Sequence, residues 1–110
     1  MKIEHHLLVK PISINECWQG RRFKTKKYDA FIVEMLAEMP RETTIDGLIN
    51  VEIILCLKSI LRSDVDNFCK PIIDCIVKKK WITDDRYIQN LKIHKVKQNK
   101  ESISIFIESI

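Results

Sequence analysis

The sequence predicts an α/β fold: one small domain in the order β-α-β-α-β-β, its mixed sheet flanked by two packed helices. Three observations point there. The chain has 110 residues, the size of a single compact domain spanning residues 1–110. Runs of period two alternate with two runs of helical period. Hydrophobic residues make up 45% of the chain, enough to build one modest core.

The elements follow in order. A first strand at about Lys2–Val9 sets Ile3, His5, Leu7 and Val9 on one side. A basic loop, Lys10–Lys24, comes next. A helix is expected from about Thr25 to Met39, because Thr25 suits an N-cap and Tyr28, Phe31, Ile32, Met35, Leu36 and Met39 form one stripe. Pro40 ends it. The run Ile49–Lys58 is nearly all apolar and reads as a central strand buried on both sides. A second helix is expected at about Asn67–Lys79. Two final strands, about Tyr87–Lys97 and Ser102–Glu108, read as a hairpin around Gln98-Asn99-Lys100, with Ile103, Ile105 and Ile107 alternating against polar residues.

Composition excludes several classes. No apolar run is long enough to span a bilayer, and the start Met1-Lys2-Ile3-Glu4-His5-His6 lacks a signal-peptide pattern, so a cytoplasmic protein with no membrane partner is expected. Cys17, Cys56, Cys69 and Cys75 contain no Cys-x-x-Cys pair, which argues against a zinc ribbon. Cys56, Cys69 and Cys75 sit in apolar stretches and read as buried hydrophobes. The net charge is +4, which is mild, but its distribution is uneven. Arg21, Arg22, Lys24, Lys26 and Lys27 form one basic run and Lys78-Lys79-Lys80 another, patterns that suit phosphate contacts or, more blandly, a solvated basic face. A domain this small would also gain from dimerisation.

The most informative stretch is Leu61-Arg62-Ser63-Asp64-Val65-Asp66-Asn67-Phe68-Cys69-Lys70-Pro71-Ile72-Ile73-Asp74, between the central strand and the second helix. In extended backbone, residues two apart point the same way, so Asp64 and Asp66 can address one point. Two close carboxylates repel, and a hard cation such as Mg²⁺ relieves that repulsion. The stretch also follows the carboxyl end of a strand, where sites gather in open α/β sheets. Helical spacing puts Asn67, Lys70, Asp74 and Lys78 on one side and Phe68, Ile72, Cys75 and Ile76 on the other. Lys70 therefore lies near the carboxylates and could hold a phosphate oxygen. A further acid comes from Trp81-Ile82-Thr83-Asp84-Asp85-Arg86-Tyr87, although spacing does not choose between Asp84 and Asp85. The same letters also serve as turn and helix-cap signals, so a structural role stands beside the metal site.

Taken together, Asp64-Val65-Asp66-Asn67-Phe68-Cys69-Lys70-Pro71-Ile72-Ile73-Asp74 and Trp81-Ile82-Thr83-Asp84-Asp85 resemble the RusA family of Holliday junction resolvases. Those proteins carry Asp-x-Asp-Asn-x-x-Lys-x-x-x-Asp, a short helix, then a hydrophobic pair and Asp-Asp. Pro11-Ile12-Ser13-Ile14-Asn15, with Trp18 and the basic run, is loosely similar to the family's N-terminal segment. The resemblance runs over about residues 9–95. It implies a homodimeric, Mg²⁺-dependent endonuclease, with Mn²⁺ as a substitute ion, that binds four-way junctions and nicks two strands symmetrically. By matching position it implies Asp64, Asp66 and Asp85 as metal-binding catalytic residues, Lys70 as a functional lysine and Asp74 as a supporting acid. Expected DNA contacts are Arg21, Arg22, Lys24, Lys26, Lys27 and Arg62. One departure stands out: the best-known members are arginine-rich before the motif, whereas here Lys58 and Arg62 are the only basic residues. Rival readings are a metal-dependent nuclease for other branched or duplex DNA, and a non-catalytic junction-binding protein.

Overall fold

The computed structural model describes residues 1–19, 23–61 and 64–110. Its elements are β1 (Lys2–Leu7), β2 (Trp18–Gln19), β3 (Phe23–Lys24), α1 (Lys26–Glu38), β4 (Ile49–Leu57), α2 (Cys69–Lys78), β5 (Ile88–Lys97) and β6 (Ser102–Ser109). Single turns of 3₁₀ helix at Ile14–Glu16, Val65–Phe68 and Asp85–Tyr87 join some of them. The long elements follow the expected β-α-β-α-β-β order. The two-residue strands β2 and β3 pair with each other as a small separate sheet, too short for any period to announce.

The main sheet has the order β1-β6-β4-β5. β4 runs parallel to β5 and antiparallel to β6, and β1 is antiparallel to β6, so the sheet is mixed as expected. The expected hairpin of the last two strands is not formed. β4 lies between β5 and β6, and the connecting loop passes the end of β4 instead. There the Gln98 amide donates to the Leu57 carbonyl (2.9 Å) and the Lys58 amide to the Glu101 carboxylate (2.9 Å). The turn chemistry of Gln98-Asn99-Lys100 was real, but it reverses the chain without saying which strand each arm pairs with.

One face of this sheet builds the core. Cross-strand rows set Ile3, Ile107 and Val51 side by side, then His5, Ile105 and Ile53, then Leu7, Ile103 and Leu55. The apolar members of these rows are almost fully buried beneath both helices. The opposite face of β4 differs from expectation. Asn50, Glu52 and Ile54 are only half-buried, so the strand is central but covered by helices on one side alone. The open face is polar, with Asn50–Asn90 and Glu52–His94 side-chain bonds (2.7 and 2.8 Å) across the β4–β5 pair.

Helix α1 ends within a residue of its expected bounds because the signals were local. Thr25 is its N-cap and its hydroxyl accepts from the Tyr28 amide (3.1 Å), while Tyr28, Phe31, Met35 and Met39 are buried. Helix α2 buries Pro71, Ile72, Ile73, Cys75 and Ile76 and closes with a left-handed residue, Lys80 (φ 62°). The Lys80 amide donates to Val77 (3.0 Å) and the Trp81 amide to Ile76 (3.2 Å), which satisfies two orphan carbonyls and turns the fully buried Trp81 inward. The Trp81 indole N–H then donates to the Pro40 carbonyl (2.9 Å), joining the ends of both helices.

Candidate active site

The connection from β4 to α2 creates the candidate site. Asp64 occupies the N-cap position of the Val65–Phe68 turn, where its carbonyl accepts from the Asn67 amide (3.1 Å) but its carboxylate makes no capping bond. Asp66 lies inside that turn, and both acids are exposed. The extended-strand geometry expected for Asp64 and Asp66 is therefore corrected: they sit at the start of a helical turn. Phe68, fully buried, pins the turn to the core immediately before α2 begins.

Lys70 projects from the first turn of α2 between two acids. Its Nζ lies 3.1 Å from Asp74 Oδ1, one helical turn on, and 3.7 Å from Asp85 Oδ2. The Lys70 side chain stays 59% exposed, so these partners orient it without sealing it from a ligand. Hydrogen bonding and charge from Asp74, then the charge of Asp85, raise its pKa above the ordinary lysine value and keep it an ammonium. The other Asp74 oxygen, Oδ2, accepts from the hydroxyl of Tyr28 (3.2 Å) on α1. Burial, followed by Asp74, pushes that phenol well above its usual range.

The two acids of the Asp84-Asp85 pair separate by local hydrogen bonding. Asp84 caps the Asp85–Tyr87 turn, accepting from the Arg86 amide (3.0 Å), and this bond is the leading cause of its lowered pKa. Asp85 is left to face Lys70. The Asp85–Tyr87 turn immediately precedes β5, whose first residue Ile88 pairs with Ile49 at the start of β4. The chain leaves β4 at its carboxyl end, and the Val65–Phe68 turn lies against β5 before α2 starts.

Among the described residues, no three His, Cys, Asp or Glu side chains converge closely enough to form a ready-made metal cage. Asp64, Asp66 and Asp85 nevertheless offer hard oxygen donors at or near the surface. Mg²⁺ commonly uses one or two carboxylates, several waters and substrate phosphate oxygens, so this donor set fits it without a closed cage.

The β2–β3 hairpin borders this group. Lys24 Nζ lies 5.4 Å from the centre of the Tyr28 ring, and Trp18 meets the same ring edge-on at 6.0 Å. Lys26 and Lys27 occupy the first turn of α1, where Lys27 pairs with Glu16 (3.6 Å). Arg21, Arg22 and Arg62, expected as DNA contacts, lie outside the described residues. Sequence reading assigned Tyr28 to the core stripe and did not see its second role. The signal was chemical, since a phenol on a buried aliphatic stripe needs a partner for its hydroxyl.

The cysteines form no disulfide among the described residues. Burial is the chief cause that pushes the Cys17 thiol up to about 11 and the Cys75 thiol up to about 12. Neither is a thiolate at neutral pH, so they act as packing residues.

Lys70 thus stands between Asp74 and Asp85, and its exposed ammonium could donate to a phosphate oxygen. The family model for endodeoxyribonuclease RusA matches residues 18–108, and the chain belongs to that family of DNA-cutting hydrolases. A search of curated proteins found no match. No helix among the described residues is long and apolar enough to cross a membrane.

Proposed function

We propose that the chain is a Mg²⁺-dependent endonuclease of the cytoplasm that resolves four-way DNA junctions by paired symmetric nicks, in recombination and repair. The observation that carries this reading is Lys70 held between Asp74 and Asp85, next to the turn that bears Asp64 and Asp66, in a member of the RusA family. Asp64, Asp66 and Asp85 would hold the ion, with Mn²⁺ able to replace Mg²⁺. When bound, the ion would supply Lewis acidity toward the scissile phosphate and would lower the pKa of a water so that it can give up a proton and act as the nucleophile.

The protein's own residues do the rest. Lys70, exposed at its tip, donates to a phosphate oxygen and stabilises the charge that grows there during cleavage. Lys24, Lys26 and Lys27, with Arg21, Arg22 and Arg62, contact phosphates along the duplex arms. Such contacts set position and favour a branched shape, but they read little sequence. Two copies, each cutting one strand, account for symmetric nicking.

A metal-dependent nuclease with a broader substrate range is the second reading. It is favoured by the thin basic approach to Asp64, where only Lys58 and Arg62 carry charge. Cutting rates on a four-way junction, a forked duplex and a linear duplex of equal length separate the two. The junction should be cut at least about tenfold faster, because branch shape rather than charge alone would then govern binding. Equal rates on all three would favour the broader nuclease.

A further inference from the structure

Tyr28 is 2% exposed, yet its hydroxyl reaches Asp74 from a different helix. Asp74 divides its two oxygens, taking the Tyr28 hydroxyl on Oδ2 and the Lys70 ammonium on Oδ1. A carboxylate with one oxygen fixed cannot swing about its last torsion, so the second oxygen points one way. We propose that Tyr28 is a positioning residue for Lys70, acting through Asp74, an assignment that rests on the reading of Lys70 as a phosphate-binding group.

The surroundings suit this role. The Tyr28 amide is capped by Thr25, which fixes the first turn of α1, and Trp18 and Lys24 wall the ring on the hairpin side. The phenol therefore has little freedom, whereas Lys70 has several rotatable bonds and a largely exposed side chain. Asp85, at 3.7 Å, restrains Lys70 more loosely than Asp74 at 3.1 Å. Losing the Tyr28 hydroxyl would free Asp74 to turn, and the ammonium would spread over several positions. Small displacements of a catalytic group cost large factors in rate.

The test uses Tyr28→Phe, which keeps the ring and removes one oxygen. The first readout is the ¹⁵N signal of the Lys70 ammonium in the free protein, identified by its disappearance in Lys70→Arg. It should be sharp in the wild type and broadened in both Tyr28→Phe and Asp74→Asn, with the amide spectrum elsewhere unchanged. An ammonium signal unaffected by Tyr28→Phe overturns the proposal, whatever the DNA substrate proves to be. The second readout is cleavage of a four-way junction. Tyr28→Phe should lower kcat by about tenfold with junction affinity unchanged, and should add no further loss in a Lys70→Ala background. A loss of affinity without loss of kcat, or a full additional loss in Lys70→Ala, also contradicts it. If the wild type fails to cut junctions while the ammonium signal behaves as expected, the substrate reading falls and the positioning role stands.

Discussion

Lys70, Asp84 and Asp85 show how much of the candidate site depends on single hydrogen bonds. Asp84 turns one carboxylate oxygen to the Arg86 amide as a cap, while Asp85 is the acid of the pair that lies against Lys70. The two acids should therefore respond differently to the same change. Asp85→Asn is expected to lower cleavage by about 10²–10³-fold, the scale seen when one well-placed electrostatic group is lost. Asp84→Asn keeps a competent N-cap and should cut within about twofold of the wild type. Steady-state rates on one junction substrate check both. Spacing left this pair open because the choice depends on which acid the backbone recruits as a cap. A second residue, Lys80, is informative for stability. It holds φ 62° where a glycine would sit without strain, so Lys80→Gly should stabilise the fold by about 0.5–1 kcal/mol. Thermal melting should show it as a rise of a few degrees.

At the scale of elements, the turn Val65–Phe68 links packing to chemistry. Phe68 is fully buried and anchors the backbone that presents Asp64 and Asp66. Phe68→Ala should cost about 3–5 kcal/mol of stability, measured by urea unfolding, since it opens a cavity under the site. Unchanged stability would mean that this turn is not pinned by the core. Element legibility followed the range of the deciding contacts. Helix α1 was readable because Thr25, the Tyr28-to-Met39 stripe and Pro40 all act locally. The expected hairpin of β5 and β6 does not form because strand order depends on β4, some forty residues earlier, and its insertion leaves no local trace in the sequence. The two faces of β4 differ from expectation for a related reason. Asn50 and Glu52 are paired polar residues on an open face, which an otherwise apolar run conceals.

For the whole molecule, two thiols buried in the core tie stability to alkaline pH. Cys17 and Cys75 are buried in the shared core, and burial first of all pushes their thiols up to about 11 and about 12 from an ordinary value of 9.0. Above pH 9 the unfolded chain gives up these protons more readily than the folded one. Their contribution is complete below pH 9 and is lost as pH climbs toward 11 to 12. The urea midpoint should accordingly fall between pH 8 and pH 10.5, and Cys75→Ala should reduce that fall. The family was legible in the sequence because Asp64-Val65-Asp66-Asn67, Lys70, Asp74 and the Asp84-Asp85 pair stand in order along one short stretch. Their spatial arrangement was not, since Lys70 meets Asp85 only after the chain folds back along β5.

The proposed cutting of branched DNA through Asp64, Asp66 and Asp85 with a divalent ion can be tested in a single experiment. A synthetic four-way junction is incubated with wild-type protein and with Asp66→Asn, in Mg²⁺ and in Ca²⁺, while binding is followed in parallel by gel shift. Paired, symmetric nicks are expected with the wild type in Mg²⁺ alone, and retained binding without nicks in Asp66→Asn. Full cleavage by Asp66→Asn, or wild-type binding with no cleavage in Mg²⁺, would contradict the proposal.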